Sequence, residues 1–311
     1  MKFLYYNRLR KTLKLIFPDL YKLKQIVEWH RQYNDHFKRL VSFVEKLNRN
    51  WANQLANLGS SVEMRPWTVD DELRAIVRNL KPKLYLADPD APTICTVALG
   101  SEYQAVVAPC LQATQEYCAR HQYNYLLLTE SLPDLYRPYS WAKVCLLFYA
   151  LEHKYKNIMW LDADALITNV EVRLESFLKA LERTEKSMLI TKSDDAINMG
   201  VFFLKGGWKS RILLNLIWCN RFYISHGWWE QAALMDLMRR HAEVADEEYI
   251  EPRTRSFNSR TPDCAKDAST FWQPGDFIIH FAGIRGSKLS EYIARHSKVS
   301  ISSRNTLETN A

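Results

Sequence analysis

The chain has 311 residues, 47% of them hydrophobic and 13% aromatic, which fits one α/β domain with an appendage and excludes both a disordered chain and two independent enzymatic domains. A formal net charge of +7 suits nucleic acid, an anionic membrane or a phosphorylated small molecule alike, but the basic residues form no recognisable nucleic-acid motif, so no nucleic-acid partner is expected. No apolar run approaches the roughly 18 to 20 residues of a bilayer span and the N-terminus lacks a signal-peptide stretch, so the expectation is a cytoplasmic protein, soluble or peripheral on the inner face of a membrane.

Residues 1–17 carry Lys2, Arg8, Arg10, Lys11 and Lys14 among Phe3, Leu4, Tyr5, Tyr6, Leu9 and Leu13. They read as a membrane-surface segment or as an ordinary solvated helix. From Leu20 a seven-residue rhythm follows, with Leu20, Val27, Asn34, Val41, Asn48 and Leu55 in one set and Leu23, His30, Phe37, Val44, Trp51 and Leu58 in the other. Such spacing describes a coiled-coil seam, and hence a homo-oligomer through residues 20–58, or a long amphipathic helix folded back on its own domain. Gly59-Ser60-Ser61 ends the helical extension at 61. Residues 62–92 read as a connector with a short helix from Asp70 to Asn79, punctuated by Pro82, Pro89 and Pro92.

Beyond residue 92 the pattern alternates. Strands are predicted at Thr93 to Leu99, Tyr125 to Thr129, Asn157 to Leu161, Met188 to Thr191, Gly200 to Leu204 and Phe277 to Phe281. Helices are predicted at Val106 to His121, Trp141 to Lys154, Ser210 to Arg221 and Trp229 to His241. The fold class is α/β, with a mostly parallel sheet covered by helices on both faces and a ligand site at the carboxyl ends of its strands. The main domain is bounded at 93–299, and the polar tail 300–311 is expected to be disordered. Cys95, Cys110, Cys118, Cys145, Cys219 and Cys264 are scattered without a CxxC pair and read as reduced, mostly buried thiols.

The strongest local signal is the strand Ile158-Met159-Trp160-Leu161 running into Asp162-Ala163-Asp164. Two carboxylates flanking one small residue at a strand end can face a single cation, and hard oxygen ligands select Mg2+ or Mn2+. Left without a cation, two unpaired carboxylates there would be costly.

Around this motif lie Trp141-Ala142-Lys143, Asn198-Met199-Gly200-Val201-Phe202-Phe203-Leu204, Glu230-Gln231-Ala232-Ala233-Leu234 and His280-Phe281-Ala282-Gly283. Their order resembles the retaining glycosyltransferase family of galactomannan galactosyltransferases, xyloglucan xylosyltransferases and fungal α-mannosyltransferases, over about Thr93 to Lys288. The resemblance implies a GT-A fold, a nucleotide-sugar donor linked to UDP or GDP, a glycan acceptor and a divalent metal. It places Asp162, Asp164 and His280 on the metal. Gly100, Ser101, Tyr103, Lys143, Ala163, Gly200, Gly283, Arg285 and Lys288 fall on the donor nucleotide, and Glu230, Gln231, Asp195 and Asn198 beside the reacting sugar. Asp195 is preferred to Asp194 as the acidic residue upstream of Asn198. Lys143 neutralises phosphate or orients Asp162 on this reading.

Two departures are visible. Trp229, directly before Glu230, stands where the family has an acidic residue, and Ile284-Arg285 replaces the family's Cys-Lys. The reaction implied is transfer with retained anomeric configuration and no enzyme nucleophile. The competing expectation is a catalytically weak nucleotide- or glycan-binding scaffold oligomerised by the N-terminal helix.

Overall fold

A computed structural model describes residues 70–308, apart from 89, 133–134, 185, 194–195, 246–247 and 252. The basic segment 1–17, the heptad pattern of 20–58, the predicted helix end at 59–61 and residues 62–69 lie outside the described residues, as do Asp195 and the last three of the tail. The described residues fall in one compact unit, Trp67–Ala311.

Order begins ahead of residue 93. Helix α1 (Asp71–Asn79) forms where Asp70 caps it, the carboxylate accepting from the backbone N–H of Glu72 at 3.1 Å and of Leu73 at 3.3 Å. The same carboxylate accepts the Trp218 indole N–H at 3.1 Å and pairs with Arg221 at 3.1 Å. Trp218 belongs to α5 (Trp208–Cys219), so one aspartate both starts a helix and ties it to another.

The main sheet has the order β1-β3-β2-β4-β7-β6-β8, formed by β1 (Lys83–Tyr85), β2 (Thr93–Val97), β3 (Asn124–Leu128), β4 (Asn157–Leu161), β6 (Met188–Ser193), β7 (Ala196–Lys205) and β8 (Glu248–Glu251). Its centre is parallel: β2 pairs with β3 and with β4, the crossovers being α2 (Ser101–His121) and α3 (Ala142–Glu152). Every residue of β3 is buried, as a strand covered on both faces requires.

The sheet is mixed, where the sequence pattern predicts a mostly parallel one. β7 runs antiparallel to β4 and to β6, and β1 antiparallel to β3, while β6 and β8 are parallel. The reason lies in chain length: only residues 194 and 195 separate β6 from β7, and a parallel return needs a crossover of about a dozen residues or more.

A second sheet, β5-β10-β9, positions the site. Its strands are β5 (Ala165–Ile167), β9 (Ser259–Arg260) and β10 (Ile278–His280). β10 lies antiparallel to β5, with His280 opposite Ala165, and parallel to β9, with His280 beside Arg260. An aromatic cluster holds the sheets together: Phe177 of α4 (Glu175–Arg183) packs on Phe203, Phe257 and Phe277 with ring centroids between 5.1 and 6.0 Å apart.

Helices α6 (Trp229–Arg240) and α7 (Ala242–Ala245) follow α5, and α8 (Gly286–Glu308) closes the chain. Leu289 and Ile293 of α8 are buried against Leu166, Ile279 and Phe281, and the helix, once anchored, continues to Glu308 through most of the segment expected to be disordered. All six cysteines are free, and Cys95, Cys110, Cys118 and Cys145 are buried. Among the described residues no helix is long and apolar enough to cross a membrane.

Burial pushes the Asp70 carboxyl upward, but the Arg221 and Leu73 hydrogen bonds and the Arg221 charge bring it below its ordinary value of 3.8. A carboxyl lowered in the folded state stabilises the fold above that ordinary value and loses this contribution as pH falls through the lowered one. Asp70→Ala is therefore expected to lower unfolding free energy by about 1–2 kcal/mol at neutral pH. In urea titrations the gap from the parent chain should narrow as pH falls below about 4.

Candidate active site

β4 ends at Leu161, and the chain reaches β5 through Asp162-Ala163-Asp164. This turn is pinned on two sides. The N–H of Asp162 donates to the Gly200 carbonyl at 2.8 Å, and the N–H of Phe281 donates to the Asp164 carbonyl at 3.0 Å. Because β10 pairs with β5, His280 arrives beside both carboxylates: its Nε2 lies 3.8 Å from Asp162 Oδ2 and 3.6 Å from Asp164 Oδ1. One ligand atom from each of the three residues lies within 4.8 Å of the other two.

The orientation of the imidazole follows from a single backbone N–H. Gly200 N–H donates to Asn198 Oδ1 at 3.1 Å, so the Asn198 side chain presents oxygen there. Asn258 must then offer that oxygen its Nδ2, at 3.0 Å, and turn its own Oδ1 toward His280 Nδ1, also at 3.0 Å. Asn258 Oδ1 thus accepts from Nδ1–H, which leaves Nε2 as the ring atom that faces the two aspartates and can ligate a metal. Asn258 is fully buried and also donates to Thr191 Oγ1 at 2.9 Å.

Gly200 has a steric role. A Cβ there would lie 1.8 Å from His280 Cε1, so the ring occupies the space of the missing side chain. The sequence resemblance sets Gly200 against the donor; the glycine lines the cavity, and the imidazole packs where its side chain would be.

Lys143 is buried at 5% exposure on α3, and its Nζ donates to Glu230 Oε1 at 2.8 Å and the Met199 carbonyl at 2.7 Å, with Asp162 Oδ1 3.3 Å away. Burial works against its charge, but Asp162 and Glu230 outweigh burial and raise its pKa above the ordinary lysine value. Burial likewise pushes the Asp164 carboxyl upward, and the hydrogen bond and charge of His280, with Lys143 adding to them, hold it below its ordinary value. Trp160 Nε1–H donates to Asp162 Oδ1 at 2.6 Å.

A cavity of about 1390 Å³ opens over these groups. Gly100, Ser101, Tyr103, Lys143, Asp162, Ala163, Asp164, Asn198, Gly200, Glu230, Gln231, His280, Gly283 and Arg285, all expected from the sequence, line it. Gly100 caps α2 at φ +88°, a conformation that favours glycine. Glu230 is only 4% exposed and does not cap its helix: one oxygen pairs with Lys143 and the other, Oε2, is buried without a partner. Gln231 Oε1 accepts from Met199 N–H at 3.0 Å.

Lys288 stands apart from the other expected residues. It lies on the first turn of α8, exposed, with Nζ 3.1 Å from Asp263, and does not line the cavity. The sequence pattern does not single out Trp160, Tyr139, Arg260 or Lys266, which do line it, nor Asn258 behind His280. Asn258 precedes, and Arg260 ends, a strand of two residues, too short to carry a period. Trp229 holds φ +39°, a left-handed backbone unusual for a large residue, directly between exposed Trp228 and buried Glu230.

The profile of the galactosyl transferase GMA12/MNN10 family matches residues 94–188 and 179–288. A probable alpha-1,2-galactosyltransferase, gmh1 of Schizosaccharomyces pombe, is 23% identical over 226 residues, which are 60% of this chain and 65% of that protein. The chain thus spans a little under two thirds of that relative's length. Among solved structures, a glycosyltransferase involved in the glycosylation of the major capsid of PBCV-1 superposes with a TM-score of 0.53 at 16% identity, over 66% of this chain and 99% of that one. That likeness is one of fold.

If the amide relay sets the ring, Asn258→Ala should weaken Mn2+ binding about 10- to 100-fold, with an unchanged far-ultraviolet circular dichroism spectrum. Gly200→Ala, which drives a methyl group into the imidazole, should give a loss of the same order. Calorimetric titration of Mn2+ into each variant checks both, and parental affinity in either would refute the arrangement.

Proposed function

This chain belongs to the galactosyl transferase GMA12/MNN10 family, and from that premise we propose that it is a glycosyltransferase, moving a sugar from a nucleotide-diphosphate donor to a hydroxyl of a glycan with retained anomeric configuration. The convergence of Asp162, Asp164 and the Nε2 of His280 in one cavity supports this reading.

Two carboxylates and an unprotonated imidazole nitrogen suit Mn2+ or Mg2+. Such an ion, when bound, supplies positive charge against the diphosphate that leaves. The remaining work falls to side chains. Lys143 and Trp160 hold Asp162 in place. The N-terminus of α2 presents backbone N–H groups at Gly100 and Ser101, where a phosphate or ribose oxygen is accepted well, and Tyr103 offers a ring to the base. Arg285, exposed at the cavity edge, meets the diphosphate bidentately.

Glu230 is engaged by Lys143, which favours a steadying role over that of a nucleophile: its unpartnered Oε2 accepts a sugar hydroxyl. Attack by the acceptor on the face the diphosphate leaves then retains configuration. Tyr139 and Trp228, 60% and 53% exposed at the cavity wall, offer faces to an acceptor ring. The name of the yeast relative makes galactose the first donor sugar to examine.

The experiment is a panel of UDP- and GDP-sugars with Mn2+ and candidate glycans, read by nucleoside diphosphate release and product mass. Turnover should vanish with chelator and return with Mn2+. Asp164→Asn should reduce it by at least about 100-fold. Full turnover in that variant rejects the assignment.

A further inference from the structure

Two arginines in the described chain are buried to 6% exposure or less, and they differ in how their charge is met. Arg137 donates to Glu72 at 2.8 Å and to the Trp218 carbonyl at 2.8 Å, and lies 3.5 Å over the Trp218 ring. The guanidinium of Arg260, a residue at 5% exposure, makes a single hydrogen bond, from Nη2 to the Cys264 carbonyl at 3.3 Å. Its Nε and Nη1 have no partner, and among the described residues no carboxylate pairs with it.

A guanidinium cannot shed its proton to escape burial, and an uncompensated buried charge is strongly destabilising. Arg260 nonetheless lines the cavity, and the register of β9 and β10 sets it directly beside His280. Lys266 and Arg285, from the segments after β9 and β10, line the same cavity. The acidic turn is thus faced by cationic side chains that the second sheet and its loops carry.

We propose that Arg260 is an anion-binding residue of the donor site, taking a phosphate oxygen of the nucleoside diphosphate held beside Asp162, Asp164 and His280. This rests on the reading of the site as a nucleotide-sugar site. Arg260 supplies two N–H groups that the fold leaves unused, and the diphosphate supplies the charge that Arg137 finds in Glu72.

The test compares the full chain with Arg260→Gln and Arg260→Lys, by calorimetric titration of Mn2+ alone, then of UDP, GDP and the two nucleosides in the presence of Mn2+. Arg260→Gln should weaken diphosphate binding about 10- to 100-fold, leave nucleoside and Mn2+ affinities unchanged, and leave the ligand-free melting temperature equal or higher because an unpaired buried charge is gone. Arg260→Lys should fall between. Parental diphosphate affinity in Arg260→Gln overturns the proposal while leaving the donor-site reading intact. A loss of Mn2+ affinity, a drop in ligand-free melting temperature or a failure to fold would mark Arg260 as a structural brace and overturn it too. Absence of diphosphate binding by the parent chain sinks both readings.

Discussion

The antiparallel pairing of β5 with β10 sets Ala165 opposite His280, and the remaining geometry of the cavity depends on it. Strand β5 begins one residue after Asp164, so the ladder that fixes Ala165 also fixes the carboxylate before it. The bond from Phe281 N–H to the Asp164 carbonyl extends that ladder by a step. More than a hundred residues separate the partners in sequence, and an entropy cost accompanies the closing of so long a loop. Burial of Phe177, Phe203, Phe257 and Phe277 between the sheets opposes that cost close to the site.

Charge in the cavity is arranged in two ways. Around Lys143 the ammonium is answered within the protein by Asp162 and Glu230, leaving only Glu230 Oε2 without a partner. Around Arg260 the charge is left unanswered. A buried pair with good geometry tolerates desolvation, whereas a lone buried ion does not. The first arrangement is a rigid floor, and the second is a standing preference for an anion.

Much of this was readable in the amino-acid order, and the parts that were not share a cause. Asp162 and Asp164 stand out because a buried apolar strand ends in them, and Gly100 because glycine follows an apolar strand, although the helix it caps begins at Ser101 and not at the predicted Val106. The first half of the sheet follows from alternating strands and helices, but an apolar run does not state whether its neighbour is parallel, so the antiparallel course of β7 is not legible in it. His280 and Lys143 needed the ordered resemblance, since a lone histidine or lysine has no local signature. Asn258 and Arg260 lie beyond either signal, because they gain meaning only from what β10 and β7 bring alongside them. Lys288 shows the reverse error: three residues after Arg285 in sequence, it has already turned outward on α8 toward Asp263.

The register shift in the β6–β7 ladder follows Ile190. Opposite it, the peptide groups of Met199 are bound by side chains of two helices: Lys143 of α3 takes the carbonyl and Gln231 of α6 takes the N–H. A regular ladder would have shared such groups between strands. Here the irregularity rivets a sheet to two helices at one residue, immediately before the glycine on which the imidazole rests. Helix α6 therefore cannot slide or rotate without breaking its bond to that residue, so a disturbance on the Trp228 side of the cavity has a direct mechanical route to the acidic turn.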